Sequence, residues 1–128
     1  MAEMTHEERV LCALNREQPD RVPLELGSTI DSSIVLAAYE RLKARLGVKT
    51  PNVIINQMMQ TAKVDEPVLQ ALDIDVRAVL PGPPDRGGDV FFPDGSYRDE
   101  WGVVRVRSAG GIYYDQLQFP LAGEISLQ

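Results

Sequence analysis

The sequence predicts an α/β fold with an inserted antiparallel hairpin region, on three observations. Strand-like and helix-like apolar patterns alternate over residues 6–80, the Pro/Gly-rich run 81–95 shifts the composition, and the last third breaks into short apolar runs between tight-turn residues. Thr5-His6-Glu7-Glu8 is a capping box: the threonine hydroxyl accepts from first-turn amides and Glu8 reaches back to the cap amide, so a helix starts there. Its apolar face is Val10, Leu11 and Leu14 with Ala13 beside them, and it ends before Gln18-Pro19-Asp20, which sets it over residues 6–16. Arg21 to Gly27 is short, apolar-rich and closed by glycine. It reads as a strand whose Pro23 asks for an edge, a bulge or the strand's first residues. From Asp31 to Leu46 the positions Ile34, Val35, Ala38, Leu42 and Leu46 recur at three and four, Asp31 or Ser32 caps the start, and Gly47 takes the left-handed end, so this is a helix. Residues 50–63 hold no sustained period and read as loop with a helical turn. Asp65-Glu66-Pro67 opens a short helix to Leu72. Ile74 to Leu80 follows as a strand, stopped by Pro81-Gly82-Pro83-Pro84, and residues 89–115 read as a small antiparallel ribbon. That order does not close a sheet layer and Gly123-Glu124-Ile125-Ser126-Leu127-Gln128 adds no terminating element, so the chain reads as truncated.

A chain of 128 residues with 44% hydrophobic residues suits one compact domain. Nineteen acidic against thirteen basic side chains give a net charge of −6, which argues against a long basic surface; neither nucleic acid nor membrane is an expected partner. Cys12 and His6 stand alone in their types, so no disulfide forms within the chain and no self-contained zinc site is available; no metal is expected in this segment. No stretch approaches the roughly 18 uncharged apolar residues of a membrane span, and the expected location is cytoplasmic.

The chemistry-bearing residues are sparse. No G-x-S-x-G occurs, a Ser-His-Asp arrangement would have to recruit His6, and no glycine-rich phosphate loop is present, so no residue is assigned a catalytic role. Cys12 reads as a small buried hydrophobe and His6 as solvent-facing or hydrogen-bonded. Asp73 and Asp75 would share one strand face, where like charges raise one pKa and prepare a proton donor, unless Asp73 is the loop residue ahead of the strand. Trp101, in Asp99-Glu100-Trp101-Gly102-Val103, reads first as a hairpin core and second as a ring platform. Tyr113 and Tyr114 line a cleft or, with Phe119-Pro120-Leu121, dock on further protein.

Three stretches together resemble the amino-terminal part of the uroporphyrinogen decarboxylase superfamily. These are Thr5-His6-Glu7-Glu8-Arg9-Val10 through Leu14-Asn15-Arg16-Glu17-Gln18-Pro19-Asp20-Arg21-Val22-Pro23, then Leu72-Asp73-Ile74-Asp75-Val76-Arg77, then Asp99-Glu100-Trp101-Gly102. The most specific is the passage E-x-P-D-R-V-P after a helix, filled here by Glu17, Pro19, Asp20, Arg21, Val22 and Pro23. The resemblance implies that residues 1–128 are the amino-terminal portion of a single (β/α)₈ TIM barrel. Val22–Leu26 and Ile74–Leu80 would be its first two strands and the hairpins an elaboration near the mouth, where barrel enzymes place their sites. The decarboxylase carries an arginine-rich stretch after its first strand and a catalytic aspartate at the end of its second. This chain carries Gly27-Ser28-Thr29-Ile30-Asp31-Ser32 and Leu80-Pro81-Gly82 there, which favours the branch that transfers methyl groups between a methylcorrinoid and a thiol.

In that branch the resemblance implies zinc and a methylcorrinoid partner for the full-length protein, the zinc ligands lying on later strands. No cofactor is implied for this segment. Glu25, Ser28, Thr29 and Asp75 are then the substrate-facing candidates, meeting a small-molecule substrate or a corrinoid protein. The isolated segment is expected to be inactive and to self-associate through open sheet edges. Two alternatives stand beside it: a uroporphyrinogen decarboxylase-like lyase, and a small non-catalytic α+β binding domain anchored by Trp101, Tyr113 and Tyr114.

Overall fold

A computed structural model describes residues 3–82, 84–85, 87–118 and 123. Phe119-Pro120-Leu121 and Glu124 to Gln128 lie outside the described residues. Among the described residues, three helices and two antiparallel sheets make a mixed α/β arrangement with no closed barrel. The chain divides into two units: one holds the residues up to Asn56 together with Thr61–Leu80, the other Gln57–Gln60 and the residues from Pro81 onward.

In the first unit, α1 (His6–Leu14) starts at the expected capping box, with Thr5 accepting from Glu8 N and Glu8 from Thr5 N. Its apolar face is largely uncovered, since Leu11 is 50% and Leu14 73% exposed; the buried residue of this helix is Arg9. The second helix is shorter than its periodicity suggests. Ile34–Val35 form β1, and α2 (Leu36–Leu46) begins only after it, ending on Gly47 in the left-handed region. The residues read as loop contain β2 (Ile54–Asn56) and β3 (Thr61–Ala62), and β3 is the central strand of a three-stranded antiparallel sheet in the order β1-β3-β2. Pairing of Ile34 with Ala62 and Val35 with Thr61 takes these residues from the helix. α3 (Glu66–Ala71) carries proline in its first turn. The core joins Tyr39, Ala62, Val64, Val68, Leu69 and Ile74.

Neither Val22–Leu26 nor Ile74–Leu80 forms a ladder. They touch through one backbone bond, Asp75 N to Leu24 O at 2.9 Å. Pro23 has no N–H, and Leu24 N donates to the Asp75 carboxylate at 2.8 Å, so two successive donors of this segment are lost to a ladder.

The second unit is the expected ribbon, with β4 (Val90–Phe91), β5 (Tyr97–Arg98), β6 (Val104–Arg107) and β7 (Tyr114–Gln116) paired antiparallel in chain order. Tyr97, 2% exposed, is its center. Phe91 stacks on it at 5.5 Å and Tyr114 meets it edge-on at 5.0 Å.

Candidate functional site

The capping box fixes where α1 begins, and one turn in, Arg9 points a planar fork at two carboxylates. Arg9 Nε and Nη2 donate to the two oxygens of Asp20 at 2.6 and 2.9 Å, and Nη1 donates to Asp75 Oδ1 at 2.6 Å. Arg21 Nη1 donates to Asp75 Oδ2 at 2.6 Å and its Nη2 to Asp73 Oδ2 at 2.6 Å. His6 Nδ1 lies 2.6 Å from Asp75 Oδ1. Two guanidiniums thus face three carboxylates, with the imidazole beside them. The Asp75 side chain is 0% exposed.

Burial works against the charged form of Asp75, but hydrogen bonds from His6, Leu24 N, Arg9 and Arg21 outweigh it and hold its pKa well below the usual carboxylate range. The hydrogen bond from Arg9, followed by that from Met4 N, does the same for Asp20. Of the two readings of Asp73 and Asp75, a repelling pair on one strand face that prepares a proton donor or a loop residue ahead of Asp75 that dissolves the pair, the structure bears out the second. Asp73 sits past α3 at φ 52°, off any strand, and Arg21 lies between the two charges. Asp75 is an ionised carboxylate whose oxygens are occupied by donors; its chemistry here is positioning.

Glu25, Ser28 and Thr29 share one loop. Glu25 Oε1 accepts from Ser28 N and from Ser32 Oγ at 2.9 Å; burial opposes its charge, the Ser28 and Ser32 bonds outweigh it, and its pKa is lowered. Thr29 and Ser32 exchange bonds between hydroxyl and backbone amide in both directions at 3.1 Å. Gly27, at φ 74°, opens this loop, and a Cβ there would come within 2.7 Å of Val64 Cγ2.

Gly27 also lines a cavity of about 340 Å³ with Lys63, Asp65, Glu66, Leu69 and Arg77. Asp65 is held from behind: Tyr39 Oη, Lys43 Nζ and Thr50 Oγ1 all donate to its Oδ2, at 2.9, 2.9 and 2.6 Å. Burial pushes the Tyr39 hydroxyl up to about 12. Against burial, the bonds from Thr50, Lys43 and Tyr39 keep Asp65 below its ordinary value. Glu66 is locked in a two-bond pair with Arg77, at 2.8 and 3.0 Å. Glu25, Ser28, Thr29 and Asp75 are not among the lining residues. Lys63, Asp65 and Arg77 were not singled out by sequence, because their neighbours across the cavity carry no local signal.

In the second unit Trp101 is 80% exposed, so it is no hairpin core; Asp99 Oδ1 instead accepts from Trp101 N and Val103 N and shapes the turn. Tyr113 is 46% exposed, whereas Tyr114 packs on Tyr97 beneath the guanidinium of Arg107, 5.2 Å from its ring center.

Among the described residues no group of three or more His, Cys, Asp or Glu is arranged to hold a metal ion. No helix of the described residues is long and apolar enough to cross a membrane. No family model, no curated protein and no solved structure matches the chain.

Proposed function

We propose that this chain is the amino-terminal segment of a uroporphyrinogen decarboxylase-superfamily (β/α)₈ barrel, of the branch that moves a methyl group between a methylcorrinoid and a thiol. One observation carries the reading. Two of the stretches on which the resemblance rests, remote in sequence, converge on a single cluster: Arg9 from the helix, Asp20 and Arg21 from E-x-P-D-R-V-P, Asp73 and Asp75 from the second stretch. These residues form one ion-pair cluster that ties α1 to residues 20–21 and 73–75, and under this reading the cluster is the clamp between the leading helix and the start of the barrel. Under this reading Glu25, Ser28 and Thr29 orient substrate at the barrel mouth and Asp75 holds the wall behind them. Zinc ligands are supplied by later strands, and no step through the metal is assigned to residues described here.

The test uses the product of the whole reading frame of the natural gene, incubated with methylcobalamin and coenzyme M. The expected result is a methyl thioether, detected by mass spectrometry. Carbon dioxide release from uroporphyrinogen without thioether would move the assignment to the lyase, and neither product would remove both. A second reading, the binding domain, has the exposure of Trp101 and Tyr113 in its favor. Trp101→Ala should leave stability within about 0.5 kcal/mol of the parent, as for an exposed side chain; loss of the fold in thermal denaturation would show that Trp101 packs instead of recruiting a partner.

A further inference from the structure

We infer that the cavity beside Gly27 binds a small carboxylate carrying a hydrogen-bond donor, an amino or hydroxy acid with a short apolar body. The inference starts from which lining charges are already matched. Glu66 and Arg77 satisfy each other through two bonds, and Arg77 Nη1 also donates to Ile74 O at 2.6 Å. Lys63 lines the cavity, is exposed and forms no ion pair among the described residues, so it is the lining cation left to meet a ligand's carboxylate. Asp65 supplies the complementary half. Its three side-chain bonds all fall on Oδ2, while Oδ1 receives none from a described residue, and three fixed donors hold the group in one orientation. A pre-oriented carboxylate oxygen with free lone pairs selects a ligand that brings an N–H or O–H. Between these poles Val64, Leu69 and Gly27 provide an apolar floor, and Gly27 lets the backbone approach to where a side chain would collide with Val64. A space of about 340 Å³ is at the small-molecule end of ligand pockets.

The test compares three acids of one shape by calorimetric titration of the 128-residue chain: leucine, its α-hydroxy analogue and isocaproate, which has no donor. Leucine or the hydroxy acid should bind about tenfold or more tightly than isocaproate, the loss expected when one charge-assisted hydrogen bond is missing. Which of the two is tighter distinguishes an ammonium from a hydroxyl at Asp65. Lys63→Gln should weaken the preferred acid by a similar factor, and Lys63→Glu should reverse the preference toward isoamylamine, which has lost the carboxylate. Lys63 is exposed and forms no ion pair among the described residues, so both variants should keep the parent circular dichroism spectrum. Asp65→Asn, in contrast, disturbs the Lys43 pair and is read only alongside them. Equal binding of all three acids, no binding of any, or a Lys63→Glu protein that still prefers leucine would overturn the inference. The outcome is independent of the methyl-transfer assay, which uses neither these ligands nor these variants.

Discussion

At the scale of single residues, Asp75 shows how a charge can be buried at all. Removing a carboxylate from water costs several kcal/mol, and the cost is offset only where donors fill its lone pairs. Here His6, Arg9, Arg21 and Leu24 N do so from four points along the chain. The converse is that cutting out the anion leaves Arg9, itself 3% exposed, with only Asp20 and the Met4 carbonyl. Asp75→Ala should therefore lower stability in urea by about 3 kcal/mol, toward the lower end for a broken buried pair because Asp20 stays in place. Asp75→Asn keeps the shape and one acceptor and should cost less. A loss below about 0.5 kcal/mol for the alanine variant, the level of an ordinary surface change, would mean that the cluster contributes nothing.

At the scale of elements, the strain at Gly27 can be divided into its parts. Gly27→Ala places a Cβ 2.7 Å from Val64 Cγ2 and a non-glycine residue at φ 74°. Together these should cost about 1–3 kcal/mol. Trimming the obstacle with Val64→Ala should show coupling in a double-mutant cycle, leaving the backbone part alone; strict additivity would place the cost entirely in the backbone. The same elements show how far sequence reading carries. The start of α1 was legible because a capping box is local: Thr5 and Glu8 are three residues apart and satisfy each other. The start of α2 was not, because Ile34 and Val35 fit the helical period but are claimed by Thr61 and Ala62 across the sheet. Ala38, placed on the apolar face by period, is exposed, and Lys43 is buried instead because Thr50, Asn52 and Asp65 receive its three protons. Asp75 was visible as a candidate but its partners were not. Arg9 is 66 residues away and Arg21 is 54, and no spacing rule links such distances.

At the scale of the whole molecule, these local matches set the response to acid. Asp20, Asp65, Asp75 and Asp94 lie below an ordinary value of 3.8, and Glu8, Glu25 and Glu66 below 4.5. A carboxylate whose pKa is depressed by folding binds fewer protons folded than unfolded, so stability rises with pH through that window. The contribution is complete above the unfolded values and is lost as pH falls through them toward the folded ones. Asp89 runs the other way, since burial, then Asp99 and Glu100, raise it; its protonation relieves repulsion as pH falls, but among the described residues it stands alone against seven. The chain carries no net charge near pH 4.7, where solubility is least, yet maximal stability should lie above that. The urea midpoint should thus be level from about pH 8 to about pH 5.5 and fall steadily below about pH 4.5. Asp75→Asn removes the most deeply buried of these titrating groups. Its midpoint should start lower at neutral pH and fall less steeply in acid, so that the two curves converge. Parallel curves would mean that Asp75 titrates alike in the folded and unfolded chains, and that the arginines around it do not hold its charge.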